Sequence, residues 1–166
     1  KLALGQVGPV MQQIEESLNE FLERNTWLEL CRTWTLLAPG HSALPLPVEE
    51  VGAEWAAGYR VDVVGISETE QCLTLGDCYW RPAPAGLREL DALIRKTAHV
   101  APKQEGDWRV QYVLFSAAGW TDEARARADW LVNTSATARG RQRWQPEGVA
   151  LVDLTMVDRD LVEWAV

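Results

Sequence analysis

Between residues 10 and 24 the apolar side chains Met11, Ile14, Leu18, Phe21 and Leu22 recur at intervals of three and four, the period of a helix with one apolar face. The pattern predicts a helix that stops near Asn25 and a second that starts at once. Thr26 and Glu29 make a T-x-x-E capping box, in which each side chain satisfies a free backbone N–H. The following "WLELCRTWTLL" puts Trp27, Leu30, Cys31 and Trp34 on one buried stripe. "APGHSALPLP", with three of the eight prolines, reads as a loop.

Beyond the loop the period shortens to two. "VEEVGAEWA" and "YRVDVVGI" read as a hairpin turning at Ala57-Gly58, and "QCLTLGDCYW" follows the polar turn "SETE" as the next strand. The helical period returns in "PAPAGLRELDALIRKTAHV", with Leu87, Leu90, Ile94 and Thr97 or Ala98 on one stripe and the prolines before or within the first turn, where they are tolerated. "WRVQYVLFSA" is an apolar, β-branched strand. "GWTDEARARADWLV" is a helix with Thr121 as N-cap and two acids in its first turn, which suits the helix dipole. "RGRQRWQPEG" is a basic loop, and "VALVDLTMV" is read as the last strand. The predicted order is α-α-β-β-β-α-β-α-β. An antiparallel meander leading into strand–helix–strand–helix–strand implies an α/β domain with a mixed sheet of about five strands, flanked by helices and reached by crossover connections.

The length of 166 residues suits one domain, with a helical pair over 1–37 packed on a core spanning 48–157. No apolar run is long enough for a membrane span and no signal peptide is evident. Three cysteines, Cys31, Cys72 and Cys78, fit a reducing compartment better than a disulfide framework, so a cytoplasmic protein is expected. With no CxxC and two histidines, His41 and His99, zinc is not expected. The net charge of −8 does not draw in nucleic acid through the overall field, so such a role needs a local basic face or a basic partner. The chain begins with Lys, as an excised domain would, and the oligomeric state is open.

Two acids sit inside otherwise apolar strands, Asp62 in "RVDVVG" and Asp77 in "LGDCYW". A lone buried carboxylate is costly unless something pairs with it. If the strands are neighbours, the two acids converge and could hold Mg²⁺, a hard cation that takes oxygen ligands and activates water against a phosphate. The plain reading pairs Asp62 with Arg60 or Arg81. Asp77 is then a bulge or turn acid, Tyr79 a packing residue and Glu29 a helix cap. Arg139, Arg141 and Arg143 beside Trp144 form a basic patch with an aromatic, suited to a phosphate backbone and a base, or else a solvated loop.

Taken in order, "WLELCRTW", "VGAEW", "RVDVVG", "LGDCYW", "LRELDALIRKTAHV", "VQYVLFSAAGWTDEARARA" and "VALVDL" resemble the restriction-endonuclease-like, or PD-(D/E)xK, superfamily. Within it they are most similar to the C-terminal nuclease-like domain of unknown function carried by archaeal-type P-loop AAA+ ATPases. The resemblance implies a restriction-endonuclease-like core, metal binding by Asp62 and Asp77, and an ATPase domain in the same or a partner chain. No GxxxxGK[ST] occurs in this sequence, so any nucleotide site lies elsewhere. Tyr79 stands where the family has its catalytic lysine. Leu28 falls nearest the family's helical glutamate, with Glu29 one residue away. A neutral tyrosine cannot supply the lost charge. Arg88 and Lys96, on the helix after the strand, are the auxiliary cations within reach. The expectation is therefore a degenerate nuclease that binds DNA or a protein partner. A live Mg²⁺-dependent DNA nuclease using Asp62 and Asp77, and a purely structural interaction domain, are its rivals.

Overall fold

A computed structural model describes residues 7–100, 107–135 and 146–166. Helix α1 (Val7–Leu37) is followed by a short 3₁₀ turn (Ala38–His41), then β1 (Glu50–Ala56), β2 (Tyr59–Ser67) and β3 (Cys72–Tyr79). Helix α2 (Leu87–Val100), β4 (Arg109–Ser116), α3 (Asp122–Ser135), β5 (Pro146–Asp153) and α4 (Leu154–Trp164) complete the chain. The five strands lie in sequence order. β1, β2 and β3 are antiparallel, and β3, β4 and β5 are parallel. This is the mixed α/β sheet that the change of period predicts.

The sheet separates two cores. On one side Leu73, Leu75, Tyr112 and Leu114 pack with Leu90 and Leu93 of α2 and Ala124 and Ala128 of α3. On the other, Val63, Val113, Phe115 and Val152 meet Trp27, Cys31 and Trp34 of α1 and Val157 of α4. The turn between β1 and β2 falls at Ala57-Gly58, and Gly58 takes φ +94°, a conformation that L side chains rarely adopt. Thr121 caps α3 as expected, its hydroxyl accepting from the Ala124 N–H at 3.3 Å.

Three expectations are corrected. The N-terminal helical pair is one continuous helix of 31 residues. Neither Asn25 nor Thr26 is Gly or Pro. Thr26 donates its hydroxyl to the Leu22 carbonyl at 2.8 Å from within the helix, and Glu29 pairs with Arg32 at 2.8 Å instead of capping. Nor does the first half of α1 pack on the core: residues 8 to 26 are exposed throughout. Finally, "LTMV" is not strand but the start of α4, which extends the fold past 157 to Trp164. Side-chain phase also shifts slightly, with Leu30 and Leu87 outside and Leu93 inside.

Asp153 ends β5 and caps α4, its side chain accepting from the Met156 N–H at 2.9 Å. Asp160 on that helix accepts from the buried Trp34 indole N–H at 2.9 Å and fixes α4 to α1. Asp153→Ala should cost about 1 kcal/mol and lower Tm by roughly 2–4 °C. A thermal melt of the variant checks this, and an unchanged Tm would contradict the assigned cap.

Candidate functional site

The start of β2, the end of β3 and the second half of α2 converge beside α1. Asp62 and Asp77 are brought together there, 6% and 3% exposed. Each carboxylate oxygen has a donor. Arg60 Nε lies 2.9 Å from Asp62 Oδ1, and the Cys78 N–H donates to Asp62 Oδ2 at 3.0 Å. The Asp62 N–H reaches Asp77 Oδ1 at 3.4 Å, a long bond. Lys96 Nζ donates to Asp77 Oδ2 at 2.6 Å. Arg32 of α1 donates to the Asp62 carbonyl at 3.1 Å and ties the helix to the strand at this point.

Burial pushes the Asp77 carboxyl above its ordinary value, and the neighbouring Asp62 charge adds to this, while the Lys96 hydrogen bond and charge act against it. Burial, then the Asp77 charge, raises the Tyr79 phenol above its ordinary value, so it stays neutral and supplies no cation. A carboxyl whose folded pKa is raised gives its full stability below its unfolded pKa and loses it as pH rises through the folded one. Asp77→Asn should therefore raise Tm at neutral pH. The gap should close as the pH falls into the acid range. A lower Tm at neutral pH would show that the Lys96 pair outweighs the cost of burial.

Above the acids opens a cleft of about 600 Å³. Its charged lining is four cations, Arg24, Arg60, Arg81 and Lys96, against the two carboxylates. Tyr59, Tyr79, Trp27 and Trp80 add aromatic walls. Trp27 and Trp80 sit 5.6 Å apart, centroid to centroid. The buried Trp27 indole N–H has no hydrogen-bond partner among the described residues. Arg81 stacks over the Tyr79 ring at 5.0 Å and pairs with Glu89.

Of the residues expected at the site, Asp62, Asp77, Tyr79 and Lys96 come together, and Asp62 pairs with Arg60 as its plain reading had it. Glu29 does not join them; it is exposed and turned to Arg32. Its neighbour Leu28 lines the cleft in its place. Arg88 is exposed on α2 and does not line the cleft. Arg139, Arg141, Arg143 and Trp144 lie outside the described residues. Arg24 and Arg32 carry no motif. Their one signal is helical phase: a continuous α1 puts Arg24, Leu28 and Arg32 in line at intervals of four.

Asp62 and Asp77 have the chemistry to hold a hard divalent cation. Each would first have to release Arg60 or Lys96, and no group of three or more His, Cys, Asp or Glu suited to a metal occurs among the described residues. No helix among them is long and apolar enough to cross a membrane.

No curated protein and no solved structure matches the chain. A family model described as archaea bacterial proteins of unknown function, DUF234, matches residues 1–92. That stretch holds Asp62, Asp77 and Tyr79 and ends four residues before Lys96. With more than half of its length matched, the chain belongs to the DUF234 family.

Proposed function

We propose that this chain is a restriction-endonuclease-like domain, carried by or partnered with an AAA+-type ATPase, that binds nucleic acid and no longer cuts it efficiently. The observation that carries the reading is that every oxygen of Asp62 and Asp77 is satisfied from within the protein, two of them by cations. A centre neutralised in this way holds together without a metal. Among the residues lining the cleft four cations stand against these two carboxylates, in a chain of net charge −8, and Arg24 and Arg81 have Glu20 and Glu89 as partners outside the lining. Those two pairs are partly exposed and weak, so a phosphate backbone could take both arginines over. The aromatic walls suit the stacking of bases.

One observation favours the second reading, a Mg²⁺-dependent DNA nuclease. Lys96 reaches Asp77 from α2 and brings back a cation near the place where Tyr79 replaces one. Mg²⁺, when bound, would activate water and offset charge on the phosphate. Asp62 and Asp77 would hold it and Lys96 would orient the attacking group. The resemblance to the superfamily supports both readings equally.

Incubating single- and double-stranded DNA with Mg²⁺ or Mn²⁺ separates them, with Asp62→Asn and Lys96→Ala alongside. The expected result is no cutting above that of Asp62→Asn. Cutting that disappears in both variants would establish the nuclease instead.

A further inference from the structure

The first half of α1 is an exposed arm that meets the body only toward its end, where Glu23 accepts from the Trp80 indole N–H at 3.4 Å. Every residue from Gly8 to Thr26 is exposed, a helical length of about 28 Å at the usual rise. Along it Val10, Met11, Ile14, Leu18, Phe21 and Leu22 are each 51–61% exposed. The residues between them are mainly Gln, Glu, Asn and Ser. A stripe of six large apolar side chains on an otherwise polar helix marks an interaction surface, not a scattering of exposed residues.

We infer that this stripe is where a second copy of the chain docks, arm against arm and antiparallel. Met11, Ile14, Leu18 and Phe21 follow the three-four spacing of a coiled-coil seam. The whole set is also palindromic about Glu16: 10 mirrors 22, 11 mirrors 21 and 14 mirrors 18. A two-fold axis near Glu16 therefore layers Met11 on Phe21 and Ile14 on Leu18 of the other copy, with Val10 and Leu22 flanking the same layers. Such an isologous patch is self-complementary by construction.

Two further features fit this occupant. At the observed exposures the stripe offers about 600 Å² per copy, so a pair would bury roughly 1,200 Å², the lower bound of stable interfaces. Each copy carries a net charge of −8, and an antiparallel pair sets the two acidic bodies at opposite ends of the arms. Glu15 then faces Glu15 of the other copy across the axis, so added salt should tighten the pair.

Sedimentation of the whole chain at rising concentration and salt is the test, with Ile14→Glu and Leu18→Glu as exposed variants that leave both cores untouched. The expected result is a dimer that strengthens with salt and becomes monomeric in both variants, with unchanged helix content by circular dichroism. Mixing Ile14→Cys chains with Leu18→Cys chains should give a 14–18 disulfide under mild oxidation, while neither chain alone links. A monomer at every concentration, or a dimer that survives Ile14→Glu and Leu18→Glu, would overturn the inference. Links of 14 to 14 and 18 to 18 would overturn the antiparallel arrangement.

Discussion

Gly76→Ala is expected to cost about 3 kcal/mol or more, the largest single effect in the fold. Gly76 lies on the central strand β3, between Val63 of β2 and Val113 of β4. A Cβ added there would stand 2.5 Å from the Val113 carbonyl oxygen and 2.9 Å from its Cγ1, with Val63 Cβ at 3.2 Å. The oxygen belongs to backbone in a parallel ladder, so it cannot swing aside as a flexible side chain would. Relief requires moving β3 away from β4, which also shifts Asp77, the next residue. Tm should fall by roughly 6–12 °C. A loss below about 1 kcal/mol would contradict this register of β3 on β4.

The second large effect concerns binding. Arg24→Glu combined with Arg81→Glu should weaken a single-stranded oligonucleotide by on the order of 10–100-fold at low salt. It should also flatten the dependence on salt, since fewer counterions are released. Both residues line the cleft, and neither touches Asp62 or Asp77. Arg24 pairs with Glu20 one turn away on the exposed arm, so its reversal costs the fold little. Arg81 holds Glu89 and stacks on Tyr79, so its reversal lowers Tm, and Arg24→Glu alone is the control: a drop in affinity at nearly constant Tm locates the ligand in the cleft. Binding unaffected by the pair of reversals would move the ligand elsewhere, including to the stretch that holds Arg141, Arg143 and Trp144.

Much of the molecule is legible from period and punctuation. The change from helical to two-residue spacing marks the hairpin, and Ala57-Gly58 marks its turn. An acid inside an apolar strand marks both Asp62 and Asp77. What was not legible has physical causes. The stop at Asn25 rested on a capping pattern, T-x-x-E, that a helix interior satisfies equally well through Thr26 bonding back to Leu22. Burial of the Met11 to Leu22 face rested on the rule that an apolar stripe seeks the core, and that rule does not say whose core. Strand β5 runs into α4 without a Gly or Pro, and the one signal is Asp153 three residues before the bonded N–H of Met156. Lys96, nineteen residues from Asp77, was legible only as one of two auxiliary cations, beside Arg88, and the packing of α2 against β3 selects it.

The same packing explains how two buried acids can persist side by side. An isolated pair of buried acids would repel and be expelled or protonated. Here each has a cation, Arg60 from the same strand as Asp62 and Lys96 from α2. The arrangement costs stability through the burial of Asp77 and leaves a cleft rimmed by arginine.

One measurement tests the central claim most directly: titration of the chain into a labelled single-stranded oligonucleotide, once with Mg²⁺ and once with EDTA, followed by anisotropy and by gel. A cleft neutralised by its own Arg60 and Lys96 should bind equally well in both, leave the strand intact, and lose affinity in Arg24→Glu/Arg81→Glu. Binding that requires the divalent ion, with the strand cut, would contradict it.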